Sequence, residues 1–150
     1  MSTLERAIAI ATSAHAGQLD KAGEPYILHP LRLMMKISGE KGRITAVLHD
    51  VVEDSPITLQ DLRAEGFCET VLTALTALTH LPDESYEAYL ERVLVHPLAR
   101  NIKRLDLEDN MNIQRLGALL SDRDLARLKK YRAAWEKVRH PPPTETGPPP

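Results

Sequence analysis

Apolar residues recur every three or four positions along most of this chain, the spacing of helices that bury one face. Residues 3–16 are rich in Ala, Leu and Ile at that spacing, with Ser2 or Thr3 available as a cap. Residues 17–28 hold Gly17, Gly23 and Pro25 and read as a loop. A short helix is predicted over 29–37, with Pro30 in its first turn, where a missing N–H costs little. Gly39 and Gly42 interrupt the pattern, and 44–53 is the next helix, ended near Ser55-Pro56. Thr58-Leu59-Gln60-Asp61 is a capping-type start to a helix that stops at Gly66. Helices follow over 69–78 and 85–95, and Pro97 opens a longer one through 112. Ser121-Asp122-Arg123-Asp124 caps the last, which runs to 138. No segment alternates convincingly as a strand, so the expected fold is all-α. A single compact helical domain is expected over 1–140. Residues 141–150, mostly proline with no apolar content, are expected to be a disordered, extended tail.

Composition narrows the function classes. The chain has 150 residues, enough for one domain with a real core. A formal net charge of −2 argues against a general nucleic-acid-binding surface but leaves room for a small basic pocket. The one cysteine, Cys68, cannot form an internal disulfide and reads as packing. No apolar run has membrane-spanning length and the N-terminus lacks a signal-peptide core, so a cytoplasmic protein without a membrane partner is expected.

The chemistry concentrates in Leu48-His49-Asp50-Val51-Val52-Glu53-Asp54. On a continuous helix, His49, Asp50, Glu53 and Asp54 fall within about 140° of one another. Three acids that close repel unless a cation or protons compensate them. Asp and Glu near a helix C-terminus also oppose its dipole. A divalent metal is the natural compensator. His29, at a helix start, and Asp106, which shares a helix face with Asp109 and Asn110, complete a candidate set. His29, His49, Asp50 and Asp106 supply two imidazoles and two carboxylates, a mixed set that suits Mn²⁺, Fe²⁺ or Zn²⁺ better than Ca²⁺. A water held by such a metal is a potential nucleophile. His15, on an apolar helix, reads as structural, His80 as surface or packing, and Met34-Met35 as core.

Four ordered blocks carry a resemblance. They are His15-Ala16-Gly17-Gln18, then Lys21-Ala22-Gly23-Glu24-Pro25-Tyr26-Ile27-Leu28-His29-Pro30, then Leu48 to Asp54, then Asp106 with Asn110-Met111. Together they resemble the hydrolase domain of the RelA/SpoT family, in particular the small stand-alone alarmone hydrolases of the HD phosphohydrolase superfamily. The resemblance implies an all-helical HD domain holding one Mn²⁺, or another divalent metal, on His29, His49, Asp50 and Asp106. It implies a metal-dependent phosphohydrolase that removes the 3′-pyrophosphate from guanosine tetra- or pentaphosphate. It makes Glu53 and Asp54 the acids that orient or deprotonate the attacking water, and Lys21 and Asn110 the residues that contact substrate. The implied partner is a small phosphorylated nucleotide.

The chain also departs from the family pattern. Asp20 stands where many members carry an arginine that holds the guanine base, and an aspartate cannot stack or donate as arginine does. Lys103-Arg104-Leu105-Asp106 carries a bulky charge where the family has leucine, and Asp109 replaces a histidine. These changes point to a different or broader nucleotide. The alternatives are a phosphatase for another nucleotide, such as NADPH or a nucleoside monophosphate, and a metal- or nucleotide-binding sensor without hydrolysis.

Overall fold

Burial of helix α3 (Glu40–Leu48) on nearly every side organises this chain. Its residues Gly42, Ile44, Thr45, Ala46, Val47 and Leu48 are all buried, so α3 is not an amphipathic surface helix but a central rod. Against it pack α1 (Leu4–Ala14), α2 (Leu28–Lys36), α6 (Glu69–Leu78) and α8 (Pro97–Asn110). Around these lie α4 (Val51–Asp54), α5 (Leu59–Ala64), α7 (Tyr86–Leu94) and α9 (Asp122–Arg139), with a 3-10 turn at Ile113–Arg115. This computed structural model describes residues 1–140, and the tail expected over 141–150 lies outside the described residues. Among the described residues there is no β-strand, only an isolated bridge between Leu19 and Pro25 that closes the loop before α2.

Local chemistry explains where the helices begin. Thr3 Oγ1 accepts from the Arg6 N–H at 3.2 Å and caps α1. Thr58 with Asp61, and Ser121 with Asp124, form complete capping boxes at α5 and α9. Pro97 sits in the first turn of α8, where its missing N–H is not needed. Gly39 enters α3 at φ +82, a conformation that L side chains rarely adopt. Gly42 is required by closeness: a Cβ there would lie 3.0 Å from Ile37 Cδ1.

The helix expected over 44–53 is two helices. Helix α3 ends at Leu48, His49 caps it, and Asp50 adopts φ −105 and ψ −1 before α4 begins at Val51. That backbone lies near the sparsely allowed bridge region, where functional residues are often held. The break re-aims the chain between Asp50 and Glu53, so a single wheel does not describe the four polar residues. Met34 is buried as expected, but Met35 is 77% exposed, because α2 presents only one face to the core.

Leu48 is fully buried directly before His49. Leu48→Ala should cost about 2–5 kcal/mol in urea unfolding, the usual range for a core cavity. Met35→Ala should stay within about 0.5 kcal/mol of the parent. Equal effects at the two positions would contradict this assignment of the core.

Candidate metal centre

Three separate pieces of backbone deliver the site. His29 comes from the first turn of α2, His49 and Asp50 from the break between α3 and α4, and Asp106 from the middle of α8. One ligand-type atom from each of the four lies within 4.8 Å of all the others. His29, His49 and Asp106 are buried, and Asp50 is partly buried. The four candidate ligands read from the sequence are thus brought together in space.

The hydrogen bonds decide which ring nitrogens face inward. His29 Nδ1 is 2.6 Å from Asp109 Oδ2, and His49 Nδ1 is 2.8 Å from the Ala46 carbonyl oxygen. Both acceptors favour a proton on Nδ1, which leaves Nε2 of each ring for the cluster. His29 Nε2 lies 3.0 Å from Asp106 Oδ1. His49 Nε2 lies 2.9 Å from Asp50 Oδ2 but out of line for a hydrogen bond, so it is a buried nitrogen with no hydrogen-bond partner. Two Nε2 atoms and two carboxylates, already oriented by outer partners, fit a divalent cation.

Charge compensation is severe in this cluster. Burial opposes ionisation of Asp50, but the neighbouring His49 outweighs it and holds the carboxyl at about 2. Burial also opposes ionisation of Asp106, yet Lys103 and His29 keep it well below the ordinary carboxylate value. Burial pushes both imidazoles toward neutrality, and the carboxylates outweigh it: Asp106 and Asp109 raise His29, while Asp50 and Asp106 raise His49. A divalent cation would replace those imidazole protons as the balancing charge.

Glu53 and Asp54 lie outside the four-residue cluster, on the short helix that follows Asp50. Glu53 Oε1 accepts from the backbone N–H of His80, so His80 contributes its amide and not its ring to this region. The His80 ring packs near Tyr89, with Nε2 bonded to the Glu84 carbonyl oxygen. Burial raises the pKa of Glu53 and of Asp54, and the charge on Asp50 adds to both.

A pocket of about 340 Å³ adjoins the cluster, lined in part by Lys21, Tyr26, Asn110, Arg115, Arg127 and Tyr131. Two of its walls also touch the cluster. The Tyr26 hydroxyl donates to Asp50 Oδ2, and Asn110 Nδ2 donates to Asp106 Oδ1 at 3.0 Å. Lys21 is exposed on the pocket wall, with Nζ 3.5 Å from the Tyr131 hydroxyl.

The sequence reading missed the outer partners. Asp109 appeared there as a departure from the family; here it is a buried carboxylate that holds His29 and is gripped by Arg32 through two bonds of 2.8 and 2.9 Å. A signal existed, since Arg32 follows His29 by three residues and Asp109 follows Asp106 by three, so each shares its helix face. Lys103, from the run that departs from the family pattern, has its Nζ 2.7 Å from Asp106 Oδ2 and so answers a cluster carboxylate. His15 is buried, as a structural reading requires, with Nδ1 bonded to Gln18 and its ring beside Tyr26.

No protein-family model matches the chain. Curated relatives do. The chain is 33% identical over 122 residues, 79% of its length, to a probable guanosine-3′,5′-bis(diphosphate) 3′-pyrophosphohydrolase of Synechocystis. It is 32% identical over 134 residues, 80% of its length, to the bifunctional (p)ppGpp synthase/hydrolase SpoT of Escherichia coli. It spans only 15% and 19% of those two proteins. Among solved structures it resembles a metazoan ortholog of SpoT that hydrolyses ppGpp. The TM-score is 0.76 over 93% of this chain and 87% of that one, at 18% identity, which is a likeness of fold.

The charge balance predicts an acid and a base limit for the metal-free protein. Asp50, Asp106 and Asp109 have lowered pKa values in the fold. The stability they contribute is full above the ordinary carboxylate value of 3.8 and is lost as pH falls toward about 2, where Asp50 titrates. His29 and His49 have raised values, so their contribution is full below 6.5 and is lost as pH rises through the folded values. With a chelator present, the thermal midpoint should be highest between these limits and fall on both sides. A midpoint that is flat from acid to alkaline pH would contradict this balance.

Proposed function

We propose that this chain, a relative of the SpoT-type guanosine-3′,5′-bis(diphosphate) 3′-pyrophosphohydrolases, is itself a Mn²⁺-dependent phosphohydrolase acting on such a nucleotide. The observation that carries the reading is the convergence of His29, His49, Asp50 and Asp106 within 4.8 Å, in a chain whose curated relatives are hydrolases of that pyrophosphate ester. The four residues act as metal ligands. Two imidazoles and two carboxylates match Mn²⁺ better than the all-oxygen set Ca²⁺ prefers. When bound, the metal supplies Lewis acidity that offsets phosphoryl charge and lowers the pKa of water.

In this reading Glu53 takes the proton of the attacking water. Its raised pKa suits a general base better than an ordinary surface carboxylate would. The His80 amide fixes one Glu53 oxygen and leaves the other for water. Asp54 carries a second carboxylate with a raised pKa on the same turn and helps to orient that water. The water oxygen bonds to the phosphorus attached to the 3′ oxygen, and that P–O bond breaks. The nucleoside 3′ oxygen takes up a proton, and pyrophosphate departs. Lys21 offsets phosphate charge, and Asn110, already bonded to Asp106, contacts the substrate where the pocket meets the metal.

A second reading draws on Asp20. Its side chain lines the pocket and accepts from Arg115 Nη1 at 3.2 Å, so this wall offers a neutralised carboxylate and not a free arginine. That favours a phosphohydrolase for another nucleotide. The same pocket serves both readings, and a substrate panel separates them.

The test is product analysis with ppGpp, NADPH and nucleoside monophosphates, with Mn²⁺ and with chelator. Pyrophosphate released from ppGpp only when Mn²⁺ is present is the expected result. Asp50→Ala should abolish turnover, and Glu53→Gln should lower kcat about 10²- to 10⁴-fold with little change in KM. Turnover that survives Asp50→Ala would refute the metal assignment. Phosphate released from the other nucleotides, with ppGpp untouched, would favour the second reading.

A further inference from the structure

Arg115 sits in the 3-10 turn after α8 and touches two carboxylates that belong to different parts of the molecule. Its Nη2 donates to the Asp109 carbonyl oxygen at 2.6 Å and to Asp109 Oδ2 at 3.3 Å. Its Nη1 donates to Asp20 Oδ2 at 3.2 Å. Asp109 Oδ2 is also the atom that holds His29 Nδ1. The other oxygen of Asp20, Oδ1, accepts from the backbone N–H groups of Ala22 and Glu24 at 2.9 and 3.0 Å. One guanidinium therefore joins the outer partner of His29 to the residue that shapes the loop carrying Lys21.

The arrangement is specific. Asp109 is 2% exposed and its two oxygens meet His29, Arg32 and Arg115, so its position is fixed by three residues. The Nε of Arg115 is buried without an acceptor, which is unfavourable. The two carboxylate contacts hold the side chain there nonetheless. Loop 20–25 has few other ties to the body: the Asp20 and Gly23 amides bond within it, Lys21 makes one long contact of 3.5 Å to the Tyr131 hydroxyl on α9, and Tyr26 bonds to Gln18 and Asp50 at its end. Order in this loop and the aim of His29 thus share the Arg115 side chain.

We infer that Arg115 is a positioning residue that couples the pocket loop of residues 20–25 to the metal ligand His29, so that metal binding orders the loop. This rests on the metal centre proposed above. Arg115 touches neither the four ligand atoms nor a reacting group. It acts through Asp109, whose bond to His29 sets which nitrogen faces the metal. Coupling of this kind is reciprocal: whatever orders the loop tightens the metal, and the metal orders the loop. Asp20, which departs from the family pattern, gains a defined role as the loop-side end of this link.

The experiment reads Mn²⁺ affinity by calorimetry and amide hydrogen exchange across residues 18–26, on wild type, Arg115→Met, Arg115→Lys and Asp20→Asn. Neither readout needs turnover, so a failure of hydrolysis and a failure of coupling are separable. In wild type, Mn²⁺ should slow exchange in the loop. Arg115→Met should weaken Mn²⁺ about 10- to 100-fold, as loss of an outer-shell contact does, and abolish the protection. Arg115→Lys should restore part of the affinity. Asp20→Asn keeps an acceptor for the loop amides and cuts only the link, so it should fold normally, lose the Mn²⁺-induced protection and change affinity less. Wild-type affinity together with undiminished loop protection in Arg115→Met and Asp20→Asn would overturn the coupling. Absence of Mn²⁺ binding by the wild type would overturn the metal centre and the coupling with it.

Discussion

Two buried imidazoles face two carboxylates across a gap small enough for one ion, and much of the molecule serves to keep them there. Removing Asp50, Asp106, His29 and His49 from water is costly unless each charge is answered by another. The protein supplies part of the answer itself, through Lys103 on Asp106 and Tyr26 on Asp50. The remainder is a matter of protons on the rings or a cation between them. The central position of α3 follows from this. It carries His49 into the core, and α2 and α8 pack against it to bring His29 and Asp106 to the same point.

The second ring of contacts gives the site its stiffness. The Ala46 carbonyl and Asp109 fix the two imidazoles through their Nδ1 atoms. Asp109 is fixed in turn by Arg32 and Arg115, and Asn110 adds a bond to Asp106. Because Tyr26 and Asn110 belong to the pocket wall as well, the cluster and the pocket form one connected structure. A pocket of about 340 Å³ beside a cluster that fits a divalent cation is the arrangement the proposed hydrolysis would use.

Much of this was legible in the sequence because it follows from local rules. The helix over 69–78 is read from its apolar spacing and found with those bounds, and the Thr58 and Ser121 capping boxes are found where their motifs stand. The four clustered residues could be proposed from residue type and order along the chain. What was not legible depends on tertiary geometry. Spacing alone made 44–53 one helix, because nothing in an apolar run marks Asp50 as the point where the backbone turns. Asp109 looked like the loss of a histidine, since its partners Arg32 and Arg115 lie on other elements. Asp20 looked like a missing arginine, and only the fold reveals that its carboxylate builds a loop. The His80 amide had no sequence signal at all, because any non-proline residue offers one.

In the function proposed for this chain, His29, His49, Asp50 and Asp106 hold one divalent metal. Anomalous diffraction at the manganese edge, from crystals grown with Mn²⁺, tests it most directly. One strong peak is expected within bonding distance of His29 Nε2, His49 Nε2, an oxygen of Asp50 and an oxygen of Asp106. A peak elsewhere, or an ordered cluster with His29 and His49 still bonded to the two carboxylates and no peak between them, would contradict it.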